Sequence, residues 1–324
     1  MNPEQRKAWL KLFALTVLWF LMTKYLVSLG NGLVPDSLKV KISFQSFRLI
    51  CQVLTLLVGL GAAFGLLRDQ MRECLGMVKP KGMHLASTLL ISPAAFVLSS
   101  YVALQIALPT LMEELATRGP GVSRKNAGAI AQMLTQSPLL LVILSGAVLG
   151  ALGEEFLFRG ALWSTIERLF VMGREAVARK RVDTPGEEAG VPLPEPKYKA
   201  LVNALPGTAA TLLSAYVFGQ MHADMPGGVG LVRVASTTIL GLFCGIGRQL
   251  TGSIWTAVAL HLLNNLMTIG TSRKWFASSE KPVFEGIPNT LAALGLAGAA
   301  ALLLLWAVTR VRAANQARAL ALKD

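Results

Sequence analysis

Two adjacent glutamates, Glu154 and Glu155, stand inside an otherwise apolar run over residues 138–157. A carboxylate carried into hydrocarbon is costly unless it is paired, hydrated or protonated, so acidic residues in such a run face a polar cavity built for chemistry or transport. On a helix Glu155 and Arg159 are four apart and form an ion pair on one face. Glu154 then points about 100° away, free to meet another helix. Flanking Gly153 and Gly160 let a partner helix approach closely. The plainer reading, a cluster that marks the membrane edge, explains one charge but not two neighbours set between Leu152 and Phe156.

Two further polar groupings lie in apolar surroundings. Phe218-Gly219-Gln220-Met221-His222 closes one run, and His261-Leu262-Leu263-Asn264-Asn265 lies within another, with His261 and Asn265 on one helix face. The chain has three histidines. A buried histidine in a soluble core is more often a packing residue, whereas in a bilayer such side chains turn toward the bundle interior. His84, at a span boundary, reads as solvated. A carboxylate, two imidazoles and a carboxamide suit hydrolysis of an acyl bond: Glu154, steered by His222, takes a proton from water, while His261 and Asn265 donate to the oxyanion. Water is the nucleophile in this reading, because no serine or cysteine stands in an equivalent grouping. Zinc held by His222, His261 and Glu154 is the alternative to a metal-independent glutamate mechanism, although the HExxH signature is absent.

These residues need membrane helices to hold them. With 53% hydrophobic and 15% charged residues and a mean hydropathy of +0.53, the chain has too much apolar surface for a water-soluble globule. Apolar stretches long enough to cross the hydrocarbon core fall at 9–29, 49–67, 85–108, 139–157 with a continuation toward Phe170, 201–222, 231–250, 254–271 and 290–308. The fold class expected is an all-α integral membrane protein, with about eight transmembrane helices in one bundle. Strands are excluded by continuous Leu/Ala/Gly-rich runs without in-out alternation. The 324 residues form one polytopic domain, with a catalytic core over 138–271 and a charged, proline-rich mobile cytoplasmic loop over 173–199. The segment 110–136 reads as a loop with an amphipathic turn, Pro93 as a kink, and the first span as an uncleaved helix. Cys51, Cys74 and Cys244 are far apart and read as small buried residues. The net charge of +13 gathers in loops and reports orientation, not nucleic-acid binding. Nineteen Lys and Arg fall on one side of the expected topology and ten on the other, which places both termini in the cytoplasm.

Glu154-Glu155-x-x-x-Arg159, Phe218-x-x-x-His222 and His261-x-x-x-Asn265 together resemble the three ordered motifs of the CPBP intramembrane proteases, the group that contains the type II CAAX prenyl endopeptidase and the bacteriocin-immunity proteins. The resemblance covers the fourth to the seventh span. It implies an eight-helix bundle that hydrolyses peptide bonds within or beside the membrane. Glu154 and His222 would activate water, His261 and Asn265 would form the oxyanion site, and Glu155 and Arg159 would support them. The partners expected are the lipid bilayer and a membrane-associated peptide or protein substrate. The compact composition reads as prokaryotic, so the setting expected is a bacterial inner membrane and a substrate without a prenyl group.

Two rival classes share these residues: an ion-coupled transporter, which would show repeat symmetry and broken helices, and a non-proteolytic scaffold or immunity protein. The span boundaries also carry a conflict. Spans at 139–157 and 201–222 put Glu154 and His222 near opposite faces, so the site requires the fourth helix to shift toward Phe170, with Glu154 in its first half and 138–147 as a lead-in or tilted extension.

Overall fold

The computed structural model of the chain describes residues 3–33, 44–118, 132, 134–182, 199–276 and 289–299. Apolar runs of this length leave backbone N–H and C=O groups without water, and a helix satisfies those groups within the segment itself. The described residues accordingly form helices and no strands. In chain order these are α1 (Pro3–Leu33), α2 (Phe44–Leu67), α3 (Gly82–Arg118), a long α4 over 139–182, α5 (Lys199–Gln220), α6 (Gly227–Thr251), α7 (Ile254–Ser272) and a short apolar α8 (Asn289–Ala299). A 3-10 turn (Arg68–Gln70) and a single helical turn (Met71–Cys74) follow α2.

The fold class expected from the sequence holds as an all-α membrane protein. Five stretches of the described helices are long and apolar enough to cross a membrane: Arg6–Tyr25, Ser46–Cys74, Gly82–Thr117, Leu139–Ala176 and Gly227–Thr251. α5 and α7 are not among these five, and the eighth expected span is described only over Asn289–Ala299. Leu57, Phe64, Leu140 and Leu212 point outward and exposed, while Glu155, Arg159 and Ser214 are buried, the reverse of a water-soluble bundle.

Several boundaries differ from those expected. The third helix runs through both Pro93 and Pro109 to Arg118, so the first third of the loop expected at 110–136 is helix, and 119–131 and 133 lie outside the described residues. The expected loop over 173–199 begins as helix, which continues to Val182; residues 183–198 lie outside the described residues. Arg48 and Arg233, counted as loop charges, are inside α2 and α6.

The turn between α6 and α7 fixes the depth of the seventh helix. Gly252, at φ 68°, ends α6 in the left-handed region that favours glycine, and the Ser253 hydroxyl caps α7 by accepting from the Trp255 N–H. The same hydroxyl donates to the Val78 carbonyl at 2.6 Å, and the Ile254 N–H donates to the Gly76 carbonyl at 2.8 Å. The start of α7 is thus tied to the segment after α2, which sets the height of His261. The main core gathers Leu12, Trp19, Phe156, Phe158, Phe218 and Ile254 from α1, α4, α5 and α7.

Candidate active site

The fourth helix carries the two glutamates, and its backbone is not uniform. It is assembled from an α-helical start (Leu139–Val142), a π-helical stretch (Ile143–Leu149), an α-helical piece (Gly150–Glu155), a second π-helical stretch (Phe156–Leu162) and a long α-helix (Trp163–Val182). π-turns widen a helix, loosen its hydrogen-bond ladder and re-aim the side chains around them. Glu154 and Glu155 close the short α-piece between the two wide stretches. The conflict over depth resolves here: helix runs on both sides of Glu154, so 138–147 is mostly helix and not a lead-in, and Glu154 falls in the first half of the element, as the site required.

Glu155 and Arg159 are fully buried and paired, with Arg159 Nη1 3.2 Å from Glu155 Oε1. His261 Nδ1 lies 2.7 Å from the same oxygen. Glu155 therefore accepts from two neighbours, and a carboxylate that accepts from Nδ1 fixes the proton of a neutral His261 on that nitrogen. His222 is oriented in the same sense. Its Nδ1 lies 2.9 Å from the Phe218 carbonyl, which can only accept, so Nδ1 donates. Both Nε2 atoms then face the remaining carboxylate: Glu154 Oε2 is 3.9 Å from His222 Nε2 and 3.8 Å from His261 Nε2. Three acceptors converge on one point, and Glu154, at 23% exposure, is the most open of the three.

The Phe218 ring organises this cluster. It lies edge-on to His222 at 4.8 Å, to His261 at 5.5 Å and to Phe158 at 5.0 Å, and the Arg159 guanidinium stands 4.6 Å from its centroid. Gly241 on α6 leaves room for that guanidinium, since a Cβ there would come within 2.8 Å of Nη2. α5 reaches α6 just as closely: a Cβ on Gly219 would meet the Thr238 hydroxyl at 1.8 Å. Of the glycines flanking the glutamates, Gly160 packs against Leu75, whereas Gly153 faces open space instead of a partner helix.

Asn265 is placed one turn beyond His261, and its side-chain N–H donates to the Gly146 carbonyl at 2.9 Å. Gly146 belongs to the first π-helical stretch, where a carbonyl freed from the regular ladder can take a side-chain donor. One amide hydrogen of Asn265 is thereby committed to the backbone and orients the second.

The zinc alternative does not fit this geometry. Tetrahedral zinc with bonds of about 2.0–2.1 Å brings its donor atoms to roughly 3.3 Å of one another, and the donor atoms here are 3.8–3.9 Å apart. Among the described residues no group of three or more His, Cys, Asp or Glu could hold a metal ion.

The structure thus gathers Glu154, Glu155, Arg159, His222 and His261 in one cluster, with Asn265 one turn away. Phe218 as an aromatic hub, Gly241 and the Gly146 carbonyl were absent from the sequence reading. Phe218 stood within a recognised spacing, but the role of its ring depends on three other helices. Comparison with known families matches residues 136–267 to the model described as Rce1-like, type II CAAX prenyl endopeptidase Rce1-like. The match starts just before α4 and ends within α7, so it contains all six residues. No curated protein and no solved structure matched the chain.

Proposed function

Because residues 136–267 belong to the CPBP intramembrane protease family through their Rce1-like match, we propose that the chain is an intramembrane endopeptidase that hydrolyses a peptide bond of a membrane-associated protein or peptide with glutamate-activated water. The observation that carries this reading is the convergence of Glu154 Oε2 with the Nε2 atoms of His222 and His261 at 3.8–3.9 Å. Three acceptors around one point need a donor, and a water molecule supplies two hydrogens. Held by Glu154 and an imidazole, the water turns a lone pair toward the substrate carbonyl.

As the water attacks, its proton passes to Glu154 or to a neighbouring Nε2, and the imidazole so charged can protonate the leaving amine. A charge that forms on His261 is offset by Glu155, which holds Nδ1 at 2.7 Å. His261 donates to the oxyanion only once Nε2 has received a proton, so before attack it acts as an acceptor. The second amide hydrogen of Asn265 is the neutral oxyanion donor. Arg159, set between Glu155 and the Phe218 face, pairs with the buried carboxyl group and holds it in place.

Reconstitution in liposomes with a library of membrane-anchored peptides tests the reading, with mass spectrometry of the fragments. Discrete fragments produced by the native chain and absent with Glu154→Gln support it. An intact library, or fragments unchanged by the substitution, refutes it.

A further inference from the structure

Arg48 and Gln52 lie outside the matched segment, yet they face the catalytic helix. α2 runs alongside α4 in the same direction: residues 66–70 of α2 and its following turn share a cavity with residues 167–175, and Gln52 lies beside Gly150, where a Cβ would be 3.5 Å from Gln52 Nε2. Arg48 is one turn earlier on the same face of α2, which sets it level with the first π-helical stretch, the stretch in which Asn265 holds Gly146. Gly146 and Gly153 both face open space. These residues therefore outline a lane that starts at Glu154 and passes Gln52 toward Arg48.

Part of the polar surface along this lane lacks a partner. Gln52 Oε1 is buried without a hydrogen bond, which is costly unless a donor arrives. Arg48 is half-buried, and among the described residues no hydrogen bond or ion pair holds it. Of the charged groups that act on it, Glu154 is the strongest, ahead of Arg233 and Asp224. Arg233 is already occupied, with two contacts of 2.9 Å to Asp224. Lys24 on α1 reaches the Met221 carbonyl, next to His222, at 3.5 Å. Spare positive charge next to a catalytic carboxylate would bind a planar anion in two-pronged fashion through the guanidinium fork.

We propose that Arg48 and Gln52 form a specificity subsite that receives a carboxylate-bearing segment of the substrate beside Glu154, with Gln52 pairing a peptide group of that segment. This rests on the proteolytic reading above and adds a substrate class to it, a peptide with an acidic group near the scissile bond. The carboxylate comes from an acidic side chain or from a chain terminus, and the two sources are separated by the probes.

The test measures binding apart from cleavage, in Glu154→Gln protein held in lipid nanodiscs. Three N-palmitoylated decapeptides of alanine and leucine serve as probes: one amidated and neutral, one with a free C-terminal carboxylate, and one amidated with an internal aspartate. At least one acidic probe should bind about tenfold more tightly than the neutral one, the scale of one charge-assisted contact. Arg48→Gln should bring the probes to parity, and Arg48→Lys should keep part of the preference. Equal binding of all three probes, or a preference that survives Arg48→Gln, overturns the subsite. Should Arg48→Gln fail to fold, Arg48→Lys decides: a weakened preference supports the proposal and an unchanged one refutes it. A preference that holds while native protein leaves every probe intact counts against proteolysis and not against the subsite.

Discussion

His261 Nδ1 and Glu155 Oε1 are 2.7 Å apart, and Arg159 donates to that same oxygen at 3.2 Å. One buried carboxylate oxygen therefore neutralises a cation on its own helix and sets the tautomer of a histidine on another. Replacing Glu155 with Gln should leave the Arg159 charge buried and uncompensated, a loss of about 3–5 kcal/mol. Thermal unfolding in detergent should show a large fall in Tm. The double substitution Glu155→Leu with Arg159→Met should recover most of that stability without recovering cleavage, because His261 stays without its orienting partner.

Phe218 touches both imidazoles and the Arg159 guanidinium through one ring. Phe218→Leu keeps an apolar side chain but removes the edge-to-face and cation–π contacts, each worth about 0.5–1.5 kcal/mol. The imidazoles should then lose alignment more than the fold loses stability. Steady-state kinetics should show kcat reduced roughly ten- to a hundredfold, as a displacement of about 1 Å at a reacting group produces, with a fall in Tm smaller than that of Glu155→Gln.

Gly219 is one of the close contact points of α5 with α6. Gly219→Ala should push the helices apart, at a cost of about 1–3 kcal/mol for overpacking, and carry His222 away from Glu154. Thr238→Ala removes the hydroxyl that the new methyl would strike, so the pair should be more stable and more active than Gly219→Ala alone. Thermal melts and cleavage assays of the three proteins check this.

The glutamates, histidines and asparagine were legible in the sequence because helical spacing is local. Four residues separate Glu155 from Arg159, Phe218 from His222 and His261 from Asn265, and each pair shares a face in the structure. The membrane class was legible for a similar reason, since hydrophobic length is summed along the chain. Depth was not. The span expected at 139–157 with a continuation toward Phe170 runs on as helix to Val182, and no residue type announces the π-turns on either side of Glu154. Arg48 was read as a loop charge because it stands one residue before an apolar run. Its spacing of four from Gln52 follows the same rule that found Glu155 and Arg159, and would have flagged a polar face on α2.

On the proposed reading a water molecule and no metal stands between Glu154, His222 and His261, with Glu154 Oε2 3.8–3.9 Å from the two Nε2 atoms where tetrahedral zinc would draw its donors to roughly 3.3 Å. Dialysis of the purified protein against a strong chelator should leave both cleavage rate and Tm unchanged. A loss of activity that returns with one added divalent metal would overturn this part of the account.

The most direct test is the cleavage rate of Glu154→Gln protein, measured beside its thermal melt. Glu154 is part-exposed and meets two imidazoles only at 3.8–3.9 Å, so an amide should fit without disturbing the fold. The account predicts kcat lowered by about 10²–10⁴, the range for loss of a positioned base, with Tm close to that of the native chain. Undiminished cleavage by a folded Glu154→Gln protein would contradict it.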